Sequence, residues 1–418
     1  MTTELPLLAY VYHPRSFGTL SLVAAAEGRC RLLWVIDTTD HEVASMARLL
    51  RHFGTCVDVR GLDLDAASNA VALHSPGHIL ALADDNLMFT AELAQRLGLC
   101  FSSPEVTRRF TDKHAQRAAI ARGGLEVPRH WVIDPGEPAS FEEAARDARF
   151  PAVLKPRRGE ASVDTFPVSS LVELLALWED EGFSDSTRNF VLEEYIPDAS
   201  QPLGGSGFAG YVSVESIVRN SRIRHLAING RMPPAFPFRE TGFFIPAALD
   251  NALGEEVLHV ATRAAQSLGV SVGCLHTEIK LTPSGPVVIE VNGRIGGGVP
   301  EMLLAATGVD ILAIAFDLAL NVAVDVEVPM PSPQQLACLF YVQSPPDMRH
   351  VTSVEGLAEL REVAGVKEVN LNRGPGHEVS WRHGNHGHVF SVFGTADDHV
   401  ELRRVSALIS RLVRIEGT

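Results

Sequence analysis

The chain has 418 residues, of which 46% are hydrophobic and 21% charged, and its formal net charge at pH 7 is −15. This length predicts two or three domains rather than one, and the composition is that of a globular protein. The acidic balance, without any basic block, argues against nucleic acid and anionic membrane surfaces as partners. No window offers the roughly 18 uninterrupted apolar residues of a membrane span.

The five cysteines are scattered along the chain and form no C-x-x-C pair. An odd number at such spacing predicts free, mostly buried thiols in a reducing compartment. The N-terminus shows no basic region ahead of a long apolar run, so no signal peptide is expected. We therefore expect a cytoplasmic protein.

Short apolar runs alternate with helical patterns over the first hundred residues. The predicted strands are 7–12, 31–36, 56–59 and 78–83, and the predicted helices are 18–26, 42–52 and 87–97. Strands that alternate with helices indicate a parallel sheet with crossover connections. The pattern is Rossmann-like, but no G-x-G-x-x-G follows the first strand, which argues against a dinucleotide site. A break at 102–104 ends this unit, so we expect an N-terminal domain over residues 1–104.

The next unit, expected over residues 105–310, opens with a helix for which Thr111 or Asp112 is the predicted N-cap. Its other predicted elements are strands at 150–156, 190–197, 210–218 and 223–228, helices at 169–181 and 254–268, a glycine-rich loop at 204–207, a strand hairpin at 273–294 and a helix at 300–306. A proline-rich stretch at 328–333 indicates a linker or an extended segment. The last unit, 311–418, is predicted to be α+β, with strands at 336–342, 366–371 and 388–394 and helices at 354–363 and 399–413.

Acidic and amide side chains alternate along the predicted hairpin. Glu278 in its first strand, and Glu290 and Asn292 in its second, each stand at positions that share one face of the strand. If the hairpin is centred on Ser284, Glu278 lies directly opposite Glu290. Two facing carboxylates repel each other, and a divalent cation can hold both of them ionised. Oxygen ligands of this kind suit Mg²⁺ or Mn²⁺ better than zinc.

Three consecutive glycines, at 296–298, follow Arg294 after the hairpin. Glycine lets backbone N–H groups approach an anion closely, and this run leads into a predicted helix N-terminus. Arg294 adds a charged, bidentate group that suits a carboxylate or a phosphoryl oxygen. We therefore expect the strand end to hold an anion beside the metal. The alternative is a surface hairpin, neutralised by Lys280 or Arg294, that runs into an ordinary glycine-rich loop.

Five segments occur in a fixed order along the chain: 111–113, 150–156, 191–197, 276–278 and 290–298. Together they resemble the ATP-grasp carboxylate–amine ligases. Segment 238–249 further resembles the L-amino acid ligase branch, which joins amino acids into dipeptides. The resemblance covers nearly the whole chain. It implies a mixed α/β and α+β fold in three parts: an N-terminal Rossmann-like domain, a central ATP-grasp domain and a C-terminal α+β domain.

The resemblance also implies a role for individual residues. Lys113 and Lys155 match the residues that contact the ATP phosphates, and Glu193, Glu194, Tyr195 and Ile196 match the adenine hinge. The metal ligands of the family correspond to Glu278, Glu290 and Asn292. The residues that contact the phosphoryl group and the substrate correspond to Arg294, Arg231 and Glu240. Three alternatives remain open. A lone lysine such as Lys155 also occurs as a gatekeeper on an edge strand, a Glu-Glu pair also occurs at a solvated strand end, and Glu240 could be an ordinary solvated glutamate.

Two positions depart from the family pattern. The phosphate loop of the family is rich in glycine and serine, whereas residues 157–164 contain a single glycine, Gly159. Arg157 or Ser162 is therefore an alternative contact for ATP. Phe243 stands where some dipeptide-forming relatives have a histidine, which would favour a larger or less polar substrate. Near the end of the chain, Trp381–His388 carries three histidines. We interpret it as a surface hairpin rather than a metal site.

These patterns predict an ATP-dependent ligase. A carboxylate substrate would attack the γ-phosphate of ATP, and the amine of a second substrate would then displace phosphate from the acyl phosphate. The products would be an amide, ADP and phosphate, with amino acids as the expected substrates. The resemblance also suggests a homodimer. Two alternatives stay open: the same activation with another acceptor, and a catalytically silent ATP-binding or scaffold protein.

Overall fold

The fold is given by a computed structural model, which describes residues 4–180, 183, 186–199, 205, 207–327 and 329–418. The strands are β1 (Leu7–Val11), β2 (Arg31–Ile36), β3 (Gly54–Asp58), β4 (His78–Leu80), β5 (His130–Ile133), β6 (Ala152–Pro156), β7 (Phe166–Val168), β8 (Phe190–Glu194), β9 (Tyr211–Arg219), β10 (Arg222–Arg231), β11 (Gly242–Ile245), β12 (Val272–Thr282), β13 (Gly285–Asn292), β14 (Leu336–Val342), β15 (Val351–Glu355), β16 (Val366–Leu371), β17 (Phe390–Ala396) and β18 (Arg414–Gly417). The helices are α1 (Thr19–Ala26), α2 (His41–Leu50), α3 (Leu64–Ala72), α4 (Asp84–Leu97), α5 (Pro104–Thr111), α6 (Lys113–Arg122), α7 (Pro138–Asp147), α8 (Leu171–Asp180), α9 (Asn251–Leu268), α10 (Val299–Thr307), α11 (Ile311–Ala319), α12 (Leu357–Arg361) and α13 (His399–Leu412). Four residues in elements expected from the sequence, Glu181, Gly204, Ser206 and Val328, lie outside the described residues.

The N-terminal strands form a parallel sheet in the order β3-β2-β1-β4, as the alternating pattern predicts. Strand β1 is apolar on both faces because each face is covered: Leu8 and Tyr10 enter one core, and Ala9 and Val11 enter another. The loops that follow β1 and β4 lie beside each other at the carboxyl edge of this sheet. Ligands commonly bind at such an edge in parallel sheets.

Residues 130–194 contain a four-stranded antiparallel sheet in the order β5-β8-β6-β7. Strand β6 lies between β7 and β8, so it is not an edge strand. The gatekeeper interpretation of Lys155, which lies on β6, is therefore wrong. Lys155 is 8% exposed, and it lines the cavity described below.

A second, larger antiparallel sheet has eight strands in the order β13-β12-β9-β10-β11-β14-β17-β16. Its strands come from both sides of the boundary expected between residues 310 and 311, because β11 pairs with β14. Helices α10 and α11 pack in one core with β1, β2 and β11. The domain boundaries at 104/105 and 310/311 stay predictions, and the sheet itself runs across the second one.

A β-bulge fixes the side-chain arrangement of the β12–β13 hairpin. Next to the turn, Lys280 pairs with Val287, a register that would place Ile289 opposite Glu278. The register shifts between Ile279 and Glu278, so that Glu278 pairs with Glu290 instead. A bulge inserts one extra residue into one strand and so changes which side chains share a face. The predicted pairing of the two glutamates is therefore confirmed, although the turn is one residue tighter than assumed.

One predicted element has the wrong type. Segment 354–363, expected to be helical, contains the end of β15 and the short helix α12. Gly356 separates them with a φ of +85°, and a Cβ atom there would overlap the carbonyl oxygen of Leu412. A regular helix cannot pass through such a residue. Several further elements were not predicted from the sequence, among them α3, α5, α7, α11, β5 and β11.

Within the described residues, no helix by itself is long and apolar enough to cross a membrane. A bent pair, Val299–Thr307 with Ile311–Ala319, meets that criterion only when the two helices are joined across a 110° bend. All five cysteines are free, and Cys30, Cys274 and Cys338 are buried. The predicted unpaired and mostly buried thiols are thus confirmed.

Candidate active site

A cavity of about 640 Å³ opens between the four-stranded sheet, the eight-stranded sheet and the loops after β1 and β4. All twelve site residues expected from the sequence line it. They are Lys113, Lys155, Glu193, Glu194, Tyr195, Ile196, Arg231, Glu240, Glu278, Glu290, Asn292 and Arg294. The fold thus brings together residues that are far apart in the sequence. Their individual roles remain predictions.

Glu193 lies at the centre of a buried charge cluster. Its carboxylate accepts two hydrogen bonds from Arg117, at 2.9 and 3.0 Å, and lies 2.7 Å from Lys155 Nζ. Burial opposes its ionisation, but the charges of Arg117 and Lys155 outweigh that cost and hold the pKa of Glu193 well below its usual range. Arg117 was not singled out from the sequence, where it is one of several basic residues on an amphipathic helix. Both oxygens of Glu193 are already occupied in this arrangement.

The remaining hinge residues lie nearer to the cavity mouth. The Glu194 carboxylate lies 3.4 Å from an Arg129 nitrogen. The Tyr195 hydroxyl donates to Asp198 at 2.6 Å, and Lys280 forms an ion pair with the same Asp198. Lys280 therefore pairs with Asp198 rather than with the hairpin glutamates, for which the surface-hairpin alternative offered Lys280 or Arg294.

The three predicted metal ligands lie on paired strands and face the cavity. Glu278 is opposite Glu290, and Asn292 follows on the same strand as Glu290. Two cationic side chains supply counter-charges: Lys113 Nζ lies 3.1 Å from Glu290, and His276 Nε2 lies 3.4 Å from Glu278. Burial would raise the pKa of Glu278, but the hydrogen bond with His276 and nearby arginine charges lower it to about 2.

This donor set fits a hard divalent cation. Two carboxylates and the amide oxygen of Asn292 are all oxygen ligands, which Mg²⁺ and Mn²⁺ prefer. Within the described parts of the chain, no three His, Cys, Asp or Glu side chains are grouped so as to hold a metal on their own. A cation here would therefore need the amide and further oxygens from water or a phosphate, as is usual for Mg²⁺.

Arg231 and Glu240, both expected near the substrate, form an ion pair. Arg231 also donates to Ser213 Oγ at 2.9 Å and lies 3.1 Å from His276 Nε2. Glu215 lies 2.5 Å from the other ring nitrogen of His276. Burial would lower the pKa of His276, but the charge of Glu215 raises it to about 9. Arg231 is thus fixed in a buried network, and Glu240 carries a cationic partner already.

Arg294 contacts two carboxyl groups that the sequence analysis did not connect with it. Its Nε donates to Asp84 at 2.7 Å, and its Nη2 donates to Glu160 at 3.3 Å. Asp84 is the first residue of α4, whereas Glu160 belongs to the loop between β6 and β7. The guanidinium therefore joins the N-terminal sheet, the phosphate loop and the end of β13. Only the three-dimensional fold could reveal this, because no spacing relates the three positions.

The altered phosphate loop is held in place by polar contacts of its own. Arg157 forms two contacts with Asp112, at 2.9 and 2.8 Å, and it does not line the cavity. Asp112 in turn is the N-cap of α6, as predicted. Ser162 lines the cavity and donates its hydroxyl to the carbonyl oxygen of Phe238 at 3.2 Å. Of the two alternative contacts for ATP, only Ser162 is therefore in reach of a ligand.

Segment Trp381–His388, expected as a surface hairpin, forms a 3₁₀ turn over Trp381–Gly387 that borders the cavity. Gly384 has a φ of +56°, and a Cβ atom there would overlap the carbonyl oxygen of Ala161 in the phosphate loop. Asn385 donates its N–H to that carbonyl at 2.8 Å, and its Oδ1 accepts the N–H of Glu240 at 2.7 Å. The segment thus joins loop 157–164 to Glu240.

Phe243, which departs from the family pattern, is buried and does not line the cavity. Its ring centroid lies 5.8 Å from that of Tyr341, and the Tyr341 ring lies 4.7 Å from that of His388. Tyr341 and His388 both line the cavity. The Arg231 guanidinium, which also lines the cavity, lies 5.0 Å from the Phe243 ring centroid. Any influence of Phe243 on the substrate would therefore pass through Tyr341 or Arg231.

The fold is shared with known enzymes. A solved structure of an L-amino acid ligase from Bacillus licheniformis matches the chain with a TM-score of 0.78, covers 100% of both chains and is 19% identical in sequence. This likeness, together with further solved ligases of the same architecture, confirms the predicted three-part ATP-grasp fold.

Sequence comparison adds curated relatives but no family model, since the chain matches none. Alanine–anticapsin ligase of Bacillus subtilis is 25% identical over 255 residues, which are 57% of this chain and 53% of that protein. Carnosine synthase 1 of Gallus gallus is 28% identical over 265 residues, 59% of this chain and 27% of that protein. The chain thus spans about half or less of these relatives. The resemblance to ATP-grasp amino acid ligases that the sequence motifs predicted is confirmed by both kinds of comparison.

Proposed function

We propose that this chain is an ATP-dependent ligase that joins two amino acids through an acyl phosphate and releases ADP and phosphate. The observation that carries the proposal is the layout of one cavity. It holds the facing pair Glu278 and Glu290, the lysines Lys113 and Lys155, and Arg294. Phosphoryl transfer is catalysed mainly by positioning and by neutralisation of charge, and these residues supply both.

On the nucleotide side, the lysines would contact the phosphates, and segment 194–196 would hold the adenine through main-chain groups. Glu193 receives a different role from the one expected. Because its two oxygens bind Arg117 and Lys155, it would set the position of Lys155 rather than read the base. This assignment predicts that changes at Glu193 weaken nucleotide binding through the lysine.

On the transfer side, a bound Mg²⁺ ion, or Mn²⁺ in its place, would neutralise the phosphate oxygens. Glu278, Glu290 and Asn292 would hold it. Arg294 would bind the phosphoryl group as it moves to the substrate carboxylate, and Arg231 would support the same charge from the buried network. Glu240, which pairs with Arg231, would also bind the ammonium group of the amino acid that is activated.

Water must be kept from the acyl phosphate, since hydrolysis would waste the intermediate. The contact of Gly384 and Asn385 with the phosphate loop closes one side of the cavity. The loops after β1 and β4 close another, because Phe17 and Leu82 line it. The relatives also support amino acids as substrates, since two of them are named as an amino acid ligase and an alanine ligase. A cytoplasmic location and a homodimer stay predictions.

The test measures phosphate release by the full chain with Mg-ATP and all common amino acids, singly and in pairs, and weighs the products by mass spectrometry. We expect release that requires a pair and a product lighter than the two amino acids by one water. Nucleotide binding without release for any pair would contradict the proposal and favour the silent ATP-binding protein. Release with a product that contains only one amino acid would indicate another acceptor.

Variants connect the activity to the cavity. Glu290→Gln and Glu278→Gln keep the side-chain volume and remove one charged metal ligand each, so we expect at least about a hundredfold loss of kcat. Glu142→Gln, on the exposed face of α7, is the matched control and keeps full activity. Equal activity of Glu290→Gln and the control would refute the metal assignment.

A further inference from the structure

Two carboxyl groups meet at Arg294, apart from the pair assigned to the metal. Asp84 reaches it from the N-terminus of α4, and Glu160 reaches it from the phosphate loop. Their side chains are 14% and 15% exposed. Glu160, Arg294 and Ala83, the neighbour of Asp84, line the cavity. The two carboxyl groups thus lie beside the residue at which the acyl phosphate is proposed to form.

One carboxylate oxygen of the pair accepts no hydrogen bond within the described part of the chain. Oδ1 of Asp84 is buried and has no hydrogen-bond partner among the residues that the structure describes. A proton on Glu160 can supply one. Burial raises the pKa of Glu160 to about 8 against the opposing charge of Arg294, and the charges of Asp84 and Asp85 act in the same direction as burial. At pH 7 the empty pair therefore carries one proton.

The surroundings of the pair are mixed in charge. Besides Arg294 and Asp85, Lys113 acts on Asp84, and His386 Nε2 lies 3.9 Å from Glu160. Arg294 and Lys113 thus approach the pair as cations, whereas burial lowers the pKa of His386 to about 4 and leaves it neutral at pH 7. Carboxylates and neutral imidazole accept hydrogen bonds from an ammonium group. Of the acceptors around Arg294, Glu160 and His386 line the cavity, whereas Asp84 and Asp85 do not.

The proposed reaction requires such acceptors at this place. The second substrate arrives as an ammonium ion, which has three N–H donors and no lone pair. Its nitrogen must come next to the acyl carbon and must lose a proton before it can attack. The acyl carbon lies next to Arg294 if that residue binds the phosphoryl group, and the pair lies at the same residue.

We infer that Glu160, positioned by Asp84 and Arg294, binds the ammonium group of the second substrate and takes the proton which this group releases. The inference rests on the proposed ligase function. When the ammonium binds, it replaces the proton held by the pair, which passes to solvent. Asp84 does not line the cavity and acts from behind it, as the partner that holds Arg294 beside Glu160.

The following step balances in protons and electrons. One N–H proton moves to Glu160, and the nitrogen lone pair forms the C–N bond at the acyl carbon. The C–O bond to phosphate breaks, and its electron pair leaves on the phosphate. The second proton lost by the new amide nitrogen goes to that phosphate, which departs as the hydrogen phosphate dianion. Glu160 is then protonated again, as in the empty site.

The test compares two nucleophiles. The wild-type chain and its variants are given Mg-ATP and the amino acid pair found in the substrate screen. In parallel, hydroxylamine replaces the second amino acid. Hydroxylamine is largely uncharged at pH 7, so it needs neither an ammonium site nor a proton acceptor, and it converts the acyl phosphate into a hydroxamate. If the wild-type chain makes neither product with any amino acid, the ligase proposal itself fails.

For Glu160→Gln we expect kcat/KM for the second amino acid to fall about a hundredfold at pH 7. The ratio of hydroxamate to peptide should rise at least tenfold, and the defect should shrink as rising pH supplies free amine. Asp84→Asn should raise the same ratio less than Glu160→Gln does, because Asp84 positions Arg294 and Glu160 without touching the substrate. Asp164→Asn is the matched control, because this carboxylate lies in the same loop, pairs with Arg188 and does not line the cavity.

Two outcomes would overturn the inference. A parallel loss of peptide and hydroxamate in both variants would mean that the carboxyl groups only hold Arg294 and the loop in place. An unchanged ratio with an unchanged KM for the second amino acid would mean that the ammonium binds elsewhere.

Discussion

Replacing Glu193 by glutamine removes the charge that two buried cations share. Glu193 is 4% exposed, Arg117 1% and Lys155 8%. The glutamine keeps the volume of the side chain and its ability to accept one hydrogen bond, so no cavity forms. What is lost is the anion for two positive groups that are largely buried.

The cost follows from that burial. Breaking a buried ion pair by removing one partner costs about 3–5 kcal/mol, because a buried charge is left uncompensated. Two features limit the cost for Glu193→Gln. The amide oxygen still binds one cation, and Lys155, whose pKa burial already lowers, can release its proton. We therefore expect a loss of about 3 kcal/mol in the free energy of unfolding at pH 7.

Urea denaturation measures this loss directly. The control is Glu194→Gln, the next residue, whose partner Arg129 has a 52% exposed side chain. Exposed pairs contribute little, so the control should lose less than about 1 kcal/mol. The pKa of Glu193 is depressed in the folded chain. Its contribution is therefore present above the unfolded pKa of about 4.3 and is lost as the pH falls.

The difference between wild type and Glu193→Gln should consequently shrink below about pH 4. A loss below about 1 kcal/mol at pH 7, or equal losses in the two variants, would refute the reasoning. A difference that persists unchanged at pH 3 would also contradict it, because it would have to arise from packing rather than charge.

Three further changes test other parts of the structure. Glu160→Gln should gain stability relative to wild type as the pH rises from about 5 to 9, by on the order of 2 kcal/mol. The reason is that the raised pKa of Glu160 makes its ionisation in the folded chain costly. A difference in melting temperature between the two chains that stays flat with pH would contradict this prediction. Gly384→Ala should push the carbonyl of Ala161 away and make trypsin cleave the arginine pair of loop 157–164 several times faster, and unchanged cleavage would show that the contact does not hold the loop. Phe243→His should lower the free energy of unfolding by about 2 kcal/mol, because a buried polar ring replaces the aromatic ring that packs against Tyr341 and the Arg231 guanidinium, and an unaltered urea midpoint would mean that the new ring finds a partner there.

The local patterns of the sequence predicted the metal-site hairpin well, because alternation along a strand determines which side chains share a face. They did not reveal how the pairing arises. The turn is one residue tighter than assumed, and the bulge between Glu278 and Ile279 restores the pairing of Glu278 with Glu290. A bulge has no signature in the composition. The pairing was therefore predicted correctly although the turn on which it was based was not.

The sequence contains a signal for the start of α5, a helix that was not predicted. Ser103 caps this helix and Pro104 is its first residue, a combination typical of helix starts. The contacts of Arg294 are different in kind. Asp84 and Glu160 meet it only because three separate parts of the chain fold around one cavity, and no single-sequence pattern contains that information.

The turn at Trp381–His388 was misjudged because its glycine, asparagine and histidines are common in exposed turns. Its actual partner is another loop rather than solvent. Residues of this kind carry no hydrophobic periodicity, so only tertiary contacts can distinguish a surface turn from a cavity wall.

The close contact between Gly384 and Ala161 has a consequence for recombination between relatives of this chain. The phosphate loop and the C-terminal turn fit each other at backbone level, with no side chain at position 384 to adjust. A chimera that takes its C-terminal region from one parent and its phosphate loop from another would therefore bring together two surfaces shaped for different partners. The two segments need to be exchanged as one block, although most of the larger sheet lies between them in the sequence.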